Sequence, residues 1–480
     1  MFDKVKKSFT CDGGFNEIFL VAYPLIILSA SHSVMQFCDR KFLALNSSAD
    51  VAAALPAGIL SFTLFSFFMV TVNFTSALVS QYFGNKDREA CVRAAWNGFY
   101  LALGAAVVIL FITPWIGLYV IELGSHGADI VKREKEYFLT LLPGGVFVCT
   151  GGAFFAYFSG QGKTWYAAVI NIIACALNIL LDYIMIFGKF GFPAMGIAGA
   201  GLATSISVFF SFITIFLVFL FQKQDEYPTR KYRKFSFPDI KKLFEFGTPS
   251  GLQCFLEVGA FTLFAFLMGI LGTDALAATT IVLSINNLSF LPLLGMMDAT
   301  GIKTGQYIGK NDLDTAEKVA KRAWIMAIAY MVCACSLYVI FPSWLMNNFA
   351  PKGDINSEDF KIIFETGRQL LLCAAVFNFF DATKFIFMGA LRGAGDTRAI
   401  LFMGAGLNWF LLVPGVIIMI KVFHTSVLAI WIFMTCYILV EALLFFWRYK
   451  SGCWKKIDMI GRRKPTAVEA EPLNENIPPV

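Results

Sequence analysis

"SQYFGNKDREA" (residues 80–90) returns later in the chain as "GQYIGKNDLDTA" (residues 305–316), with Gln81 and Gln306 standing 225 positions apart. Pro24 and Pro249 repeat at the same offset. "GQGKT" (160–164) answers "GAGDT" (393–397) at an offset of 233, and Leu177-Asn178 answers Leu407-Asn408 at 230. The chain is two copies of one unit, so the content of that unit decides the fold.

Composition sets the medium. Hydrophobic residues make up 58% of the chain and charged residues only 15%, with a mean hydropathy of +0.68; a soluble domain carries about 25% charged residues. A helix needs about 20 apolar residues to cross the bilayer core. Stretches of that kind centre near residues 27, 67, 108, 147, 176, 209, 258, 290, 332, 378, 410 and 437, six in each copy. Because six is even, the copies enter from the same side, as parallel repeats about an axis along the membrane normal. The expected fold is an all-α membrane protein of twelve transmembrane helices, arranged as two six-helix bundles related by a pseudo-two-fold axis. Its expected parts are an N-terminal segment (1–15), a first bundle (16–221), a linker (222–244), a second bundle (245–447) and a tail (448–480).

A net charge of +6 does not indicate nucleic acid here, because the bases collect between apolar spans, where positive loops mark the cytoplasmic side. The linker holds Lys223, Arg230, Lys231, Arg233, Lys234, Lys241 and Lys242, the N-terminus Lys4, Lys6 and Lys7, and the tail Lys455, Lys456, Arg462, Arg463 and Lys464. Both termini and the linker are therefore expected in the cytoplasm, in a multi-pass plasma (inner) membrane protein acting as a monomer. The short charged start before a long span argues against a cleaved signal peptide. The 11 cysteines lack metal-ligand spacing and read as packing residues. "GQGKT" is no phosphate-binding loop, since Tyr157 stands where that loop needs glycine. His32, His126 and His424 share no helix, and no Ser-His-Asp arrangement stands out. Neither an enzyme nor a cofactor is expected.

One apolar stretch, Ala167 to Phe187, contains Asn178 and Asp182. A charge near the bilayer centre costs at least about 2.5 to 3.5 kcal/mol, so Asp182 must face a cavity, find a partner or hold a proton. Asn178, one turn earlier, shares its helical face, and such an oxygen-rich pair suits a hard cation or a proton. Two similar halves that can rock about a midplane site suggest a transporter. At these residues the chain resembles the multidrug and toxic compound extrusion (MATE) transporters, over about residues 15 to 450. The resemblance rests on Asp39 ending the first span, the Q-x-x-G loops, "NILLDYIMIFG" followed by "PAMGIAGAGLAT", and "ALRGAGDT". It implies a V-shaped pair of bundles exporting a solute in exchange for inward Na⁺ or H⁺. It also implies a coupling-ion site, with Na⁺ as the candidate metal, at Asp39, Asn178, Asp182 and Thr204, and a second cation or substrate site at Glu257 and Asp381, as in the NorM-type branch.

The repeat separates these acids from common scaffold. The counterparts of Asp39 and Asp182 are Phe264 and Leu412, while Glu257 and Asp381 answer His32 and Val148. The fold repeats and the acids do not. Three departures from the family pattern stand out: Arg40 and Lys41 directly after Asp39, Asp298 where a small residue is usual, and Lys384, three residues after Asp381 and within its reach. Either Lys384 pairs with Asp381, or Asp381 faces the cavity with Glu257 and Lys384 repels the cation; the second is the expectation. With 52 Phe, 15 Tyr and 9 Trp, a Phe-lined cavity would suit flat lipophilic cations. The expected function is a secondary active antiporter exporting small amphipathic, cationic organic compounds by alternating access. The alternative is a lipid-linked precursor flippase or an organic-anion exporter, for which Lys303 and Lys384 are the intramembrane bases.

Overall fold

The computed structural model describes residues 9, 11–124, 126–222, 226–348 and 358–461. Lys4, Lys6, Lys7, Lys223, Arg462, Arg463 and Lys464 lie outside the described residues. The first bundle comprises α1 (Phe15–Asn46), α2 (Ser48–Gly84), α3 (Arg88–Phe111), α4 (Ala128–Gly160), α5 (Trp165–Phe187) and α6 (Gly196–Phe221). The second comprises α7 (Phe237–Ile270), α8 (Asp274–Gly309), α9 (Leu313–Ile340), α10 (Lys361–Ala394), α11 (Thr397–Lys421) and α12 (Val427–Lys450). Each of the twelve spans expected from the sequence falls inside one of these helices. The repeat extends to detail, for a short helix follows the third span of each copy, Thr113–Leu123 and Pro342–Asn348. The basic stretch 222–244 is not loop throughout. Ser236 caps α7 by accepting from the Asp239 N–H at 3.4 Å, with Pro238 in the first turn, so Lys241 and Lys242 already stand on the helix.

The duplicated stretches turn out to be helix stops. Lys86 and Asn311 both adopt the left-handed conformation, at φ 62°. Around them the Asp87 N–H bonds the Tyr82 carbonyl and the Asp312 N–H bonds the Tyr307 carbonyl, each five residues back, the Schellman pattern that satisfies a helix's last carbonyls. The same aspartates then cap the next helices, Asp87 accepting from the Ala90 N–H and Asp312 from the Thr315 N–H, both at 2.9 Å. The hydroxyl and N–H of Thr315 hold the Asp312 carboxyl below the usual carboxylate range. "GQGKT" and "GAGDT" form the same kind of turn, with Gly162 at φ 81° and Gly395 at φ 89°. Four repeated stretches thus reduce to the ends of α2, α4, α8 and α10.

All four ends lie at one face, where they join the bundles. Gln81 Nε2 donates to the Gly393 carbonyl of α10 at 3.0 Å, and its counterpart Gln306 Nε2 donates to the Gly160 carbonyl of α4 at 2.8 Å. Both acceptors belong to last turns, whose carbonyls have no partner inside their own helix. Tyr307 donates to Glu17 at 2.8 Å, while Tyr82 accepts from Lys242 at 3.4 Å; Glu17 and Lys242 are themselves 225 positions apart. Lys303 adds an ion pair to Glu17 at 2.7 Å. This seam closes the molecule at the face that carries the turns. Above it, between α1, α2, α7 and α8, lies a cavity of about 540 Å³ reached from both bundles.

The seam has no room for side chains at its glycines. A Cβ on Gly84 would run into the Gln306 backbone carbonyl, and one on Gly309 into that of Gln81. Overpacking of this kind costs about 1 to 3 kcal/mol. Gly84→Ala and Gly309→Ala are each expected to lower the thermal midpoint of the purified protein; a midpoint equal to the parent's would show that the backbones are not in contact there.

Candidate functional site

The first site assembles from three helices. Asp39 near the end of α1 is 8% exposed, and Asn178 and Asp182, one turn apart on α5, are both 0% exposed. Thr204 comes from α6. With its amide oriented to satisfy both neighbours, Asn178 Nδ2 donates to Asp39 Oδ1 at 3.0 Å and Asn178 Oδ1 accepts from the Thr204 N–H at 3.3 Å. Thr204 Oγ1 donates back to the Ala200 carbonyl at 3.0 Å. The carboxyls of Asp39 and Asp182 adjoin, and Asp182 Oδ1 is buried without a hydrogen-bond partner among the described residues. All four residues taken from the sequence therefore meet in one place. Tyr137 on α4, buried beside both acids, belongs to this pocket too, and nothing in the sequence singled it out. The counterparts Phe264 and Leu412 are packed into the apolar core of the second bundle.

The second site differs from the expectation. Lys384 pairs with Glu257 Oε1 and with Glu441 Oε2, each at 3.0 Å. The contact to Glu441 is one of charge, because its angle falls outside hydrogen-bond geometry. Glu257 lines the cavity and also accepts from Gln253 Nε2 at 2.5 Å. Asp381 is buried, lies outside the cavity lining, and makes no hydrogen bond or ion pair among the described residues. Neither sequence reading is therefore met in full: Lys384 does not pair with Asp381, and Asp381 does not face the cavity beside Glu257. Projection from α10 explains it, since Lys384 turns toward α7 and α12 and finds an acid on each. Glu441 on α12 was the residue the sequence reading missed. Its signal was the one that marked Asp182, a lone acid inside an apolar run, "TCYILVEALLFF" (435–446).

The cavity between the bundles carries chemistry from both. Phe147, Phe155, Phe212 and Phe385 give it aromatic walls, and Met35, Met69, Met297 and Met388 line it as well. His32 Nε2 lies 3.2 Å from Asn171 Oδ1 on the first bundle's wall, and the repeat-related Glu257 lines the second bundle's. Asp298 and Arg392 also line it, 3.8 Å apart. Arg40 and Lys41, which could have neutralised Asp39, form no ion pair with it.

The MatE family matches residues 24–184 and 249–418, one segment in each bundle. The chain belongs to the MatE family. Relatives named "Probable multidrug resistance protein NorM" include one from Thermotoga maritima, 28% identical over 79% of this chain and 80% of its own. Another, from Pseudomonas putida, is 28% identical over 94% of this chain and 97% of its own. Among solved structures, the outward-facing conformation of a multidrug resistance MATE family transporter superposes with a TM-score of 0.81 at 21% identity, covering 94% of this chain and 98% of that one. A MOP superfamily transporter from Pyrococcus furiosus, described as having a binding pocket of reverse polarity, gives 0.80 at 20% identity, covering 94% and 98%. These likenesses establish the fold. This MatE protein is a multi-pass membrane transporter.

Removing one partner of a buried pair leaves the other charge uncompensated, at a cost of about 3 to 5 kcal/mol. Lys384→Met should therefore destabilise the MatE protein by that order, read as thermal stability. The rescue expected is Glu441→Gln in the same chain, since Glu441 is 0% exposed, whereas Asp381→Asn should not restore it. A Lys384→Met protein as stable as the parent would dissolve the network.

Proposed function

We propose that this transporter exports small amphipathic, chiefly cationic organic compounds across the plasma membrane in exchange for inward Na⁺ or H⁺, by alternating access to the central cavity. The observation that carries the reading is the buried cluster of Asp39, Asn178, Asp182 and Thr204, with Asp182 Oδ1 left without a partner. Carboxylate, amide and hydroxyl oxygens suit a hard cation, and the adjoining carboxyls of Asp39 and Asp182 can equally hold a proton between them. Those residues would bind the coupling ion on one side and release it on the other. The cavity supports the cargo class: aromatic walls attract flat lipophilic cations, and Glu257 presents a carboxylate to them, with Lys384 behind it. The name carried by the NorM relatives points the same way. An anionic or lipid-linked cargo would need unpaired bases, whereas Lys303 is paired with Glu17, Lys384 with Glu257 and Glu441, and Arg392 stands near Asp298. One chain supplies both bundles and the cavity, so a working monomer is part of the proposal.

The test is efflux of a fluorescent lipophilic cation from vesicles under an imposed Na⁺ gradient alone, then a pH gradient alone. One of the two should drive efflux. Asp182→Asn and Asp39→Asn keep size and hydrogen bonding but remove charge, and each should abolish driven efflux while reaching the membrane normally. Efflux equal to the parent's at equal expression would remove the ion site from this cluster.

The orientation proposed with it puts the linker and both termini in the cytoplasm. Tyr232→Cys, in a chain freed of other reactive cysteines, should resist an impermeant thiol reagent in intact cells and react after permeabilisation. Labelling of intact cells would invert the topology.

A further inference from the structure

The linker between α6 and α7 is not a slack tether. Its backbone is pinned along α3: Trp96 Nε1 donates to the Thr229 carbonyl at 2.8 Å, the Tyr100 hydroxyl donates to the Arg233 carbonyl at 2.5 Å, and the Ser236 N–H donates to Asn97 Oδ1 at 2.9 Å. Tyr227 and Thr229 are buried by this docking. Its described acids are also committed to α3, Glu226 to Arg88 at 3.2 Å and Asp239 to Arg93 at 3.6 Å. The bases are left over. Lys231, Arg233, Lys234 and Lys241 are exposed and form no ion pair among the described residues.

Among these bases stand large apolar side chains that the fold leaves uncovered. Phe221, Phe235, Phe237 and Phe244 are 71%, 64%, 68% and 54% exposed. Phe221 closes α6 and Phe237 opens α7, so both rings sit where spanning helices end. The Arg230 guanidinium lies 5.1 Å from the centre of the Phe221 ring. A rigid rim of uncompensated bases with aromatic rings at the end of spanning helices matches one surface chemically: phosphate headgroups above the start of the acyl chains. Basic clusters just outside spanning helices are drawn to anionic lipid, at about 1 kcal/mol per base, and amphipathic aromatic and basic side chains favour that depth.

We propose that the face formed by Lys231, Arg233, Lys234 and Lys241 with Phe235 and Phe237 is a binding surface for anionic phospholipid headgroups, which it holds against the junction of the two bundles. The docking on α3 supplies its specificity, because it fixes the spacing of the bases without using their charges. Bound lipid would thereby touch the only covalent connection between the bundles.

The experiment uses the full chain in vesicles of equal parts phosphatidylcholine and phosphatidylglycerol, with trace spin-labelled lipid of either kind reporting which one the protein immobilises. The parent should prefer phosphatidylglycerol, and the preference should shrink as salt is added. Lys231→Gln, Arg233→Gln and Lys234→Gln together should lower it, by up to about five-fold for each base, with the thermal midpoint unchanged. Lys318→Gln with Lys321→Gln, which neutralises exposed bases on α9 instead, should leave it intact. The proposal is overturned if the parent shows no preference, if the linker variant keeps it, or if the α9 variant loses as much.

Discussion

A charge inside the hydrocarbon layer has no water to turn to, and this MatE protein is organised by where its few intramembrane charges find company. Lys384 stands between acids from two helices, which ties α7, α10 and α12 together. Lys303 meets Glu17 across the seam and so ties one bundle to the other. Asp50, fully buried near the opposite end of the first bundle, is held by Arg133 and by Asn46. Two places break the pattern among the described residues: Asp381, buried without an ion pair or hydrogen bond, and the cluster around Asp182, where two acids stand side by side with no base in ion-pair contact. The meeting of two acids gives that cluster its interest.

Nearly all of the fold was legible, because length and hydropathy define a spanning helix without help from neighbours and the internal repeat fixed how twelve of them divide. The reason for the repeat was not. "SQYFGNKDREA" reads as a repeated signature, yet its glycine, left-handed residue and aspartate end one helix and start another, and only the packing of the helices shows that four such ends meet. In the first cluster Asn178 and Asp182 were legible as polar residues inside an apolar run, while Asp39 and Thr204 were reached through the resemblance to the MATE transporters. The second was only half so: Glu257, Asp381 and Lys384 were visible as intramembrane charges, but which acid a lysine reaches depends on the rotation of α10 relative to α7 and α12. Spacing along one helix suggested Asp381, and packing between helices selected Glu257 and Glu441.

The two copies also show which parts of a duplicated unit are free to diverge. Asn178 and Asn408 are retained in both, but Asn408 accepts from the Tyr437 hydroxyl at 2.9 Å and donates to the Gly404 carbonyl at 3.0 Å, so its polar atoms are spent on structure. Its helix holds a wide turn there, Asn408–Leu412. The same residue type in equivalent places joins a cluster of acids in one bundle and forms a brace in the other.

The seam at the closed face has a consequence for water. Its two halves share glutamine, tyrosine and glycine, but the tyrosines meet opposite charges, Glu17 on one side and Lys242 on the other. Parting the bundles there would uncover amide, phenol, carboxylate and ammonium groups beside apolar neighbours such as Ile18 and Val21. Water entering such a crevice would find hydrogen-bond partners at once. Water arriving at each freed donor and acceptor would offset part of the lost contacts, so parting the seam would cost less than its number of bonds suggests.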